Sequence, residues 1–408
     1  MKKSNLHARI VRLLLVLSLL IPGLTATPAL AQEEAVEGIP TEQTPGVEPG
    51  RTVFPEAPAK DEGVSFPLSV EMHGRVQAML KATGGDQSGL QGNYHPEHDG
   101  FSIPRWRLGL TSQVFENVWI DLQIGETENR REHNVNVLDA NIQLTYFDFA
   151  HLILGAQKTP VGRNQMTSSK DMEFVERPLL ATQLMVPKPI DGRVGLGLPE
   201  RDVGIQIRGK LFEGILGYYL GMFNGTGEFF DDNWNGRFAY TARVALNPLG
   251  DFSLAEGSFE RDLKVGIGGS FFQNNMGAVK YVGYGADLDL RWYGASIRFE
   301  WMESRASISG DFGLMDPEIR DRTYRGGWYV QAGYFVWPNH LQLVGRFQQY
   351  DDTHLLDDKG DVTYTTVGAN WYIRQNHNYK LQINYTWRDE KVGSVDNDAL
   401  YLLAQVAF

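Results

Sequence analysis

Cysteine is absent from the 408 residues, which removes a disulfide framework, a Cys-ligated zinc site and a thiol nucleophile together. Past the N-terminal segment, no window approaches the roughly 18 consecutive apolar residues that a transmembrane helix needs. A helical membrane protein is therefore excluded. Positive charge is also in short supply: 38 Lys and Arg stand against 50 Asp and Glu, for a net charge of −12. A chain this acidic disfavours nucleic acid as a partner.

The N-terminus has the layout of an export signal. Lys2, Lys3, Arg9 and Arg12 form a basic start, Leu13 to Leu20 an apolar run, and Ala29-Leu30-Ala31 a small-residue cleavage site. Removal of residues 1–31 takes away four positive charges and no acids, so the remaining chain carries −16. Residues 32–67 are acidic and contain six prolines without apolar periodicity, which predicts a disordered periplasmic linker.

From Ser69 onward the pattern changes to strict alternation. In the stretch from Val70 to Ala78 the even-numbered positions are apolar or Gly and the odd-numbered ones polar, the period of a strand with one wet face. It recurs at 105–116, 118–126, 136–147, 150–159, 202–213, 215–225, 237–248, 262–273, 282–293, 295–304, 325–337, 341–351, 362–374, 379–390 and 399–408, predicting sixteen strands over residues 68–408. Connections alternate between tight joints, such as Asn117, Gly214 and Gly294, and longer segments, such as 81–104, 160–201, 274–281 and 305–324. Only 249–261 breaks the rule, as a long connection on the side of the turns. An even strand number with short turns on one rim and long loops on the other is the pattern of a transmembrane β-barrel in outer-membrane lipid. Trp119, Tyr146, Phe212, Phe238, Trp301, Trp337 and Trp387, near strand ends, are candidates for its interfacial girdles. The fold class is all-β: a sixteen-stranded antiparallel barrel whose 160–201 connection, far too long for a simple loop, is predicted to fold into the lumen.

Several stretches resemble the phosphate-selective porin O and P family: Leu154-Gly155-Ala156-Gln157-Lys158-Thr159-Pro160-Val161-Gly162, Phe174-Val175-Glu176-Arg177-Pro178, Glu200-Arg201-Asp202-Val203-Gly204-Ile205 and Gly217-Tyr218-Tyr219-Leu220-Gly221-Met222-Phe223-Asn224-Gly225. The terminal strand ending on Phe408 resembles the insertion signal of bacterial outer-membrane proteins. The resemblance implies a trimeric outer-membrane porin, constricted by its third extracellular loop and passing small anions, phosphate or similar oxyanions, along Arg and Lys. That loop carries Arg163, Lys170, Arg177, Lys188, Arg193 and Arg201 against Asp171, Glu173, Glu176, Asp191 and Glu200, six against five.

Alternation fixes which wall residues point inward. Thirteen are basic, Arg75, Arg105, Arg107, Arg208, Lys210, Arg243, Lys264, Arg291, Arg298, Arg346, Arg374, Lys380 and Arg388; seven are acidic, Glu71, Asp121, Asp139, Asp202, Asp287, Asp289 and Glu300. The wall is thus six positive within an acidic chain. Arginine stays charged at any working pH and its fork matches an oxyanion, so spaced arginines form a path of weak, releasable donors. Arg105, Arg107, Arg208, Arg243 and Arg298 on the wall, with Arg163, Lys170 and Arg177 on the loop, are the predicted substrate-pathway residues. Two alternatives share these features: a general or weakly selective diffusion porin, and a receptor or adhesin barrel with little conductance.

Enzymatic readings find little footing. His95 and His98, with Asp99, have a spacing that could ligate a metal, but no further ligand accompanies them in their Pro- and Gly-bearing loop. His73 and His151 are polar strand residues without a nucleophile and acid convergent in sequence pattern. No catalytic residue, cofactor or metal is predicted.

Overall fold

The computed structural model describes residues 69–408, apart from 85–98, 127–134, 185–188, 191–192, 195–196, 277–278, 309–322 and isolated positions within 228–235, 252, 353–359 and 394. The predicted signal peptide and the linker at 32–67 lie outside the described residues, as do His95 and His98.

Sixteen antiparallel strands close into one barrel. They are β1 (Ser69–Thr83), β2 (Gly100–Phe115), β3 (Val118–Gly125), β4 (Asn136–Phe147), β5 (Ala150–Lys158), β6 (Arg201–Leu211), β7 (Leu216–Phe223), β8 (Ala239–Leu246), β9 (Lys264–Met276), β10 (Val279–Trp292), β11 (Ala295–Ile308), β12 (Thr323–Trp337), β13 (Leu341–Asp351), β14 (Val362–Tyr372), β15 (Tyr379–Glu390) and β16 (Ala399–Ala407). Each pairs with its neighbours in sequence, and β1 pairs with β16 from Arg75↔Ala407 to Thr83↔Ala399. Closure leaves no edge, which is what lets strands cross a membrane with every backbone group satisfied.

Alternation translates directly into burial. On β11, Ser296, Arg298, Glu300, Met302 and Ser304 are buried while Ile297 and Phe299 are exposed; on β13, Gln342, Arg346 and Gln348 are buried while Leu343 is exposed. The arrangement inverts that of a soluble protein, with charge inside and aliphatic side chains such as Val70, Met72, Ile142, Ile205, Val367 and Val406 outside. In water such a surface would aggregate; in lipid it is the solvated one. Tyr146, Phe212, Phe238, Trp337 and Trp387 are exposed among the predicted girdle residues. Trp119, however, stands opposite Gln113 and Gln143, within the polar alternation.

At the seam, Gly74 N–H donates to the Phe408 carbonyl at 3.1 Å, and Phe408 N–H donates back to the Gly74 carbonyl at 3.0 Å. A Cβ on Gly74 would come within 2.7 Å of the Phe408 ring, so glycine here leaves room for the ring to lie across the seam.

Several strand boundaries differ from the sequence pattern, with β2 starting at Gly100 and β11 running on to Ile308, and two of the differences matter most. The connection predicted at 274–281 shrinks to 277–278, because β9 and β10 keep pairing as far as Met276↔Val279. Arg374, assigned to the inward face, lies beyond the end of β14 at Tyr372 in an exposed turn, over the Tyr379 ring at 5.3 Å. Alternation carried on past Tyr372, but the ladder that gives alternation its meaning had stopped.

Candidate functional site

Between β5 and β6 the chain forms helix α1 (Arg163–Met166), a 3-10 turn (Ser169–Asp171), helix α2 (Leu179–Leu184) and a two-residue hairpin pairing Pro189–Ile190 with Arg193–Val194. Residues 162–179 make their contacts with inward-pointing side chains from many strands. Glu300 on β11 accepts from the first N–H groups of α1, Arg163 at 3.0 Å and Asn164 at 3.1 Å, donors a helix cannot satisfy itself. Val175 N–H donates to Asn384 of β15 at 2.7 Å, and Leu179 N–H to Gln348 of β13 at 2.8 Å. The Glu173 carbonyl accepts from Asn370 of β14 at 2.8 Å and Gln382 of β15 at 3.0 Å.

Two electrostatic environments result. The first is an ion-pair cluster on β8, β10 and β11. Asp287 accepts from Arg243 at 2.6 Å and from Arg163 at 2.7 Å, all three side chains being almost fully buried. Arg243 reaches Asp287 across the intervening strand β9 because Gly268 lies between them; a Cβ there would sit 2.4 Å from both partners. Arg298 bonds Asp289 at 2.5 Å and Glu256 at 2.9 Å, and Arg291 bonds Asp289 at 2.9 Å. Of the sequence-predicted residues, Arg163, Arg243 and Arg298 therefore sit in this cluster and are matched by carboxylates.

The second environment, around β1 and β2, is held mostly by neutral acceptors. Arg75 donates to Ser168 Oγ at 3.1 Å and Ser169 Oγ at 2.5 Å, and its strand partner Arg107 to Gln123 at 3.1 Å. Both Nε–H groups are buried with no hydrogen-bond partner among the described residues. Arg105 donates to Gln77 at 3.1 Å and the Val175 carbonyl at 2.9 Å, with the Glu176 carboxylate at 3.6 Å. Arg177 is used up structurally, donating to Asn164 and the Thr167 carbonyl. Lys158 does likewise, binding the Gln165 and Thr167 carbonyls. Arg208 donates to Gln143 at 3.2 Å, away from both groups, and the half-buried Lys170 belongs to the 3-10 turn. Burial pushes the nearby Glu200 carboxyl up, but Arg201, Arg177 and Lys158 outweigh it and hold the group at about 2.

In sequence Arg75 reads as one inward-facing wall residue among thirteen basic ones, and Lys158 reads only as the end of a strand. Lys188 and the Arg193 side chain lie outside the described residues.

A family profile described as phosphate-selective porin O and P matches residues 75–246 and 288–408. No curated protein matches the chain. Among solved structures, the fold is similar to an anion-selective porin from Comamonas acidovorans, with a TM-score of 0.53 and 12% identity over 83% of this chain and 99% of that one. It is also similar to in-vitro folded OmpT of Vibrio cholerae in its trimer form, with a TM-score of 0.52 and 10% identity over 83% and 99%. The outer membrane channel DcaP of Acinetobacter baumannii gives a TM-score of 0.50 and 14% identity over 83% and 97%. With a closed sixteen-stranded barrel and a profile match across most of its length, the chain belongs to the phosphate-selective porin O and P family of outer-membrane porins.

Proposed function

We propose that this porin passes small anions, phosphate or similar oxyanions among them, by passive diffusion, with residues 160–184, in the described part of the β5–β6 loop, standing in the lumen as its constriction. The observation that carries the reading is the pair Arg75 and Arg107. They face each other across β1 and β2, their acceptors are hydroxyl and amide oxygens, and each keeps a buried Nε–H without a partner. Like charges directly opposite on adjacent strands are destabilising, and an unmet buried donor costs about 1–3 kcal/mol. A passing oxyanion offsets the first of these costs. Because neither arginine is bound to a carboxylate, the anion has no fixed competitor to displace, which favours quick exchange over tight capture.

The pathway is accordingly narrower than the wall as a whole. Arg105, Arg107 and Arg75, with Arg208 farther along, are the contributors; Arg163, Arg243 and Arg298 shape the constriction through their ion pairs, and Arg177 and Lys170 build the loop. The native assembly is a homotrimer, a reading supported by the trimer form of the similar OmpT and checked by mass in mild detergent. The family match speaks against a receptor or adhesin barrel.

Reversal potentials across a KCl gradient in planar bilayers test the charge preference. The parent channel prefers chloride, and Arg75→Ala with Arg107→Ala lowers that preference more than Arg243→Ala does. Added phosphate reduces the chloride current. Cation preference overturns the reading, and an unblocked chloride current leaves a general anion porin.

A further inference from the structure

Every other connection on the rim holding Asn117, Gly214 and Gly294 is tight, but seventeen residues join β8 to β9 there, from Asn247 to Leu263. Their described part does not stay at the rim. Phe259 packs its ring 5.0 Å from both Phe335 and Tyr372, inward residues of β12 and β14, and 5.1 Å from His377. Ahead of it, the Ser253 carbonyl accepts from Arg291 at 3.0 Å, and the Leu254 carbonyl accepts from Thr167 Oγ1 at 3.0 Å and Arg298 at 3.2 Å.

Glu256 is the point of convergence. Its Oε1 accepts from Asn164 at 3.0 Å and Arg298 at 2.9 Å, and its Oε2 from Glu173 N–H at 2.7 Å. Its own N–H donates to the Asp171 carbonyl at 2.8 Å. Its carbonyl lies 2.8 Å from His377 Nε2, which therefore carries the proton of that bond. Nδ1 is then left facing Lys380 at 3.4 Å, as a neutral ring requires. One buried residue thus binds three residues of the β5–β6 loop, one wall arginine and the β14–β15 turn.

We infer that Glu256 is a positioning residue for permeation: entering from the turn rim, the 247–263 connection fixes the β5–β6 loop in place, and the Glu256 carboxylate holds Arg298 out of the anion path. The loop belongs to the opposite rim, so the two segments can bond only by meeting inside the barrel. The carboxylate does two separable things. As an acceptor it anchors α1 and the backbone at Glu173, which a neutral side chain of the same shape can partly imitate. As a charge it balances Arg298, which Asp289 alone shares with Arg291. Removing the charge while keeping the shape raises the net positive field acting on a permeant ion, whereas removing both also frees the loop.

The inference rests on the reading of the loop as a constriction, and two experiments separate them. Because the chain has no cysteine of its own, any disulfide within a single chain of an Asp171→Cys/Glu256→Cys or a Thr167→Cys/Leu254→Cys variant joins the two segments, whereas one between chains shows as a dimer band. Oxidation closes at least one pair, seen as a mobility shift reversed by reductant. Failure of both in channels that keep heat-modifiable migration overturns the meeting of the segments. In planar bilayers, Glu256→Gln moves the reversal potential toward the chloride limit, Glu256→Ala does so and also raises conductance and current noise, and Glu256→Asp restores the parent potential. A Glu256→Ala channel indistinguishable from the parent, or Glu256→Asp behaving as Glu256→Ala does, overturns the positioning role. Cation preference in the parent itself refutes anion passage and leaves the disulfides to decide the latch.

Discussion

Replacing Asp287 with asparagine keeps the shape of the side chain and deletes the charge that two buried guanidinium groups share. Arg243 holds Asp287 through 2.6 and 3.0 Å bonds and Arg163 through one of 2.7 Å. Removing one partner from a buried ion pair costs about 3–5 kcal/mol, mostly because the surviving charge stays buried. Arg243 is fixed to a strand and cannot leave. Arg163 sits on a loop and can, so the cost falls on the docked state of α1. At about 1.4 kcal/mol per factor of ten, the docked-to-undocked ratio falls by roughly two to four orders of magnitude. Glu300, which still accepts from the α1 N–H groups, offsets part of this. The expected result is a channel of higher and noisier conductance whose β5–β6 loop becomes sensitive to protease while the barrel keeps its heat-modifiable migration. Adding Arg163→Gln to Asp287→Asn recovers part of the quiet behaviour, since the stranded charge is gone. Parent-like conductance, noise and protease resistance in Asp287→Asn refute the claim that this ion pair holds the loop.

The same region makes permeation pH-dependent. Burial first and then the neighbouring Glu256 carboxylate push Glu173 up to about 7, from an ordinary 4.5. A raised carboxyl contributes its stabilisation fully below its ordinary value and loses it as pH climbs through 7, so anion preference is higher at pH 5.5 than at 8.5 and Glu173→Gln flattens the profile. Gly268→Ala blocks the route by which Arg243 reaches Asp287, so it reproduces the conductance rise of Asp287→Asn without altering any charge, measured in the same bilayer assay. For topology, Val392→Cys on the loop rim labels in whole cells with an impermeant thiol reagent while Gln375→Cys on the turn rim does not, and the reverse result refutes the orientation. Thr226 is a poor probe for that purpose because it is buried.

The barrel was legible because its rule is local: one residue in two faces lipid, and Ile297, Arg298, Phe299 and Glu300 announce their sides without reference to anything distant. What each arginine does was not legible, because that depends on partners far apart in sequence. Arg163 and Asp287 lie 124 positions apart and Arg105 and Val175 lie 70 apart, so a count of wall charges could not tell a matched arginine from an unmatched one. The connection at 249–261 was visible as an exception to the length rule, yet its course toward Asn164 and Arg298 follows from a carboxylate that reads, in sequence, as one acid among fifty. The 274–281 connection failed for the opposite reason: Asn274 and Asn275 look like turn residues, but ladder pairing with Tyr281 and Lys280 overrode their preference.

The β1–β16 seam has a consequence for how the molecule is made. Arg75 pairs with Ala407, so the first strand has no second neighbour until the last has arrived, and all strands between must already stand in order. Contacts this remote in sequence are slow to form. Throughout the wait β1 presents an open edge of backbone donors and acceptors, with an apolar face beside it, to any other chain. Folding of this barrel is therefore a race between closure and mispairing, and a carrier that shields β1, or a membrane site that delivers β16 to it, governs yield more than any added increment of final stability.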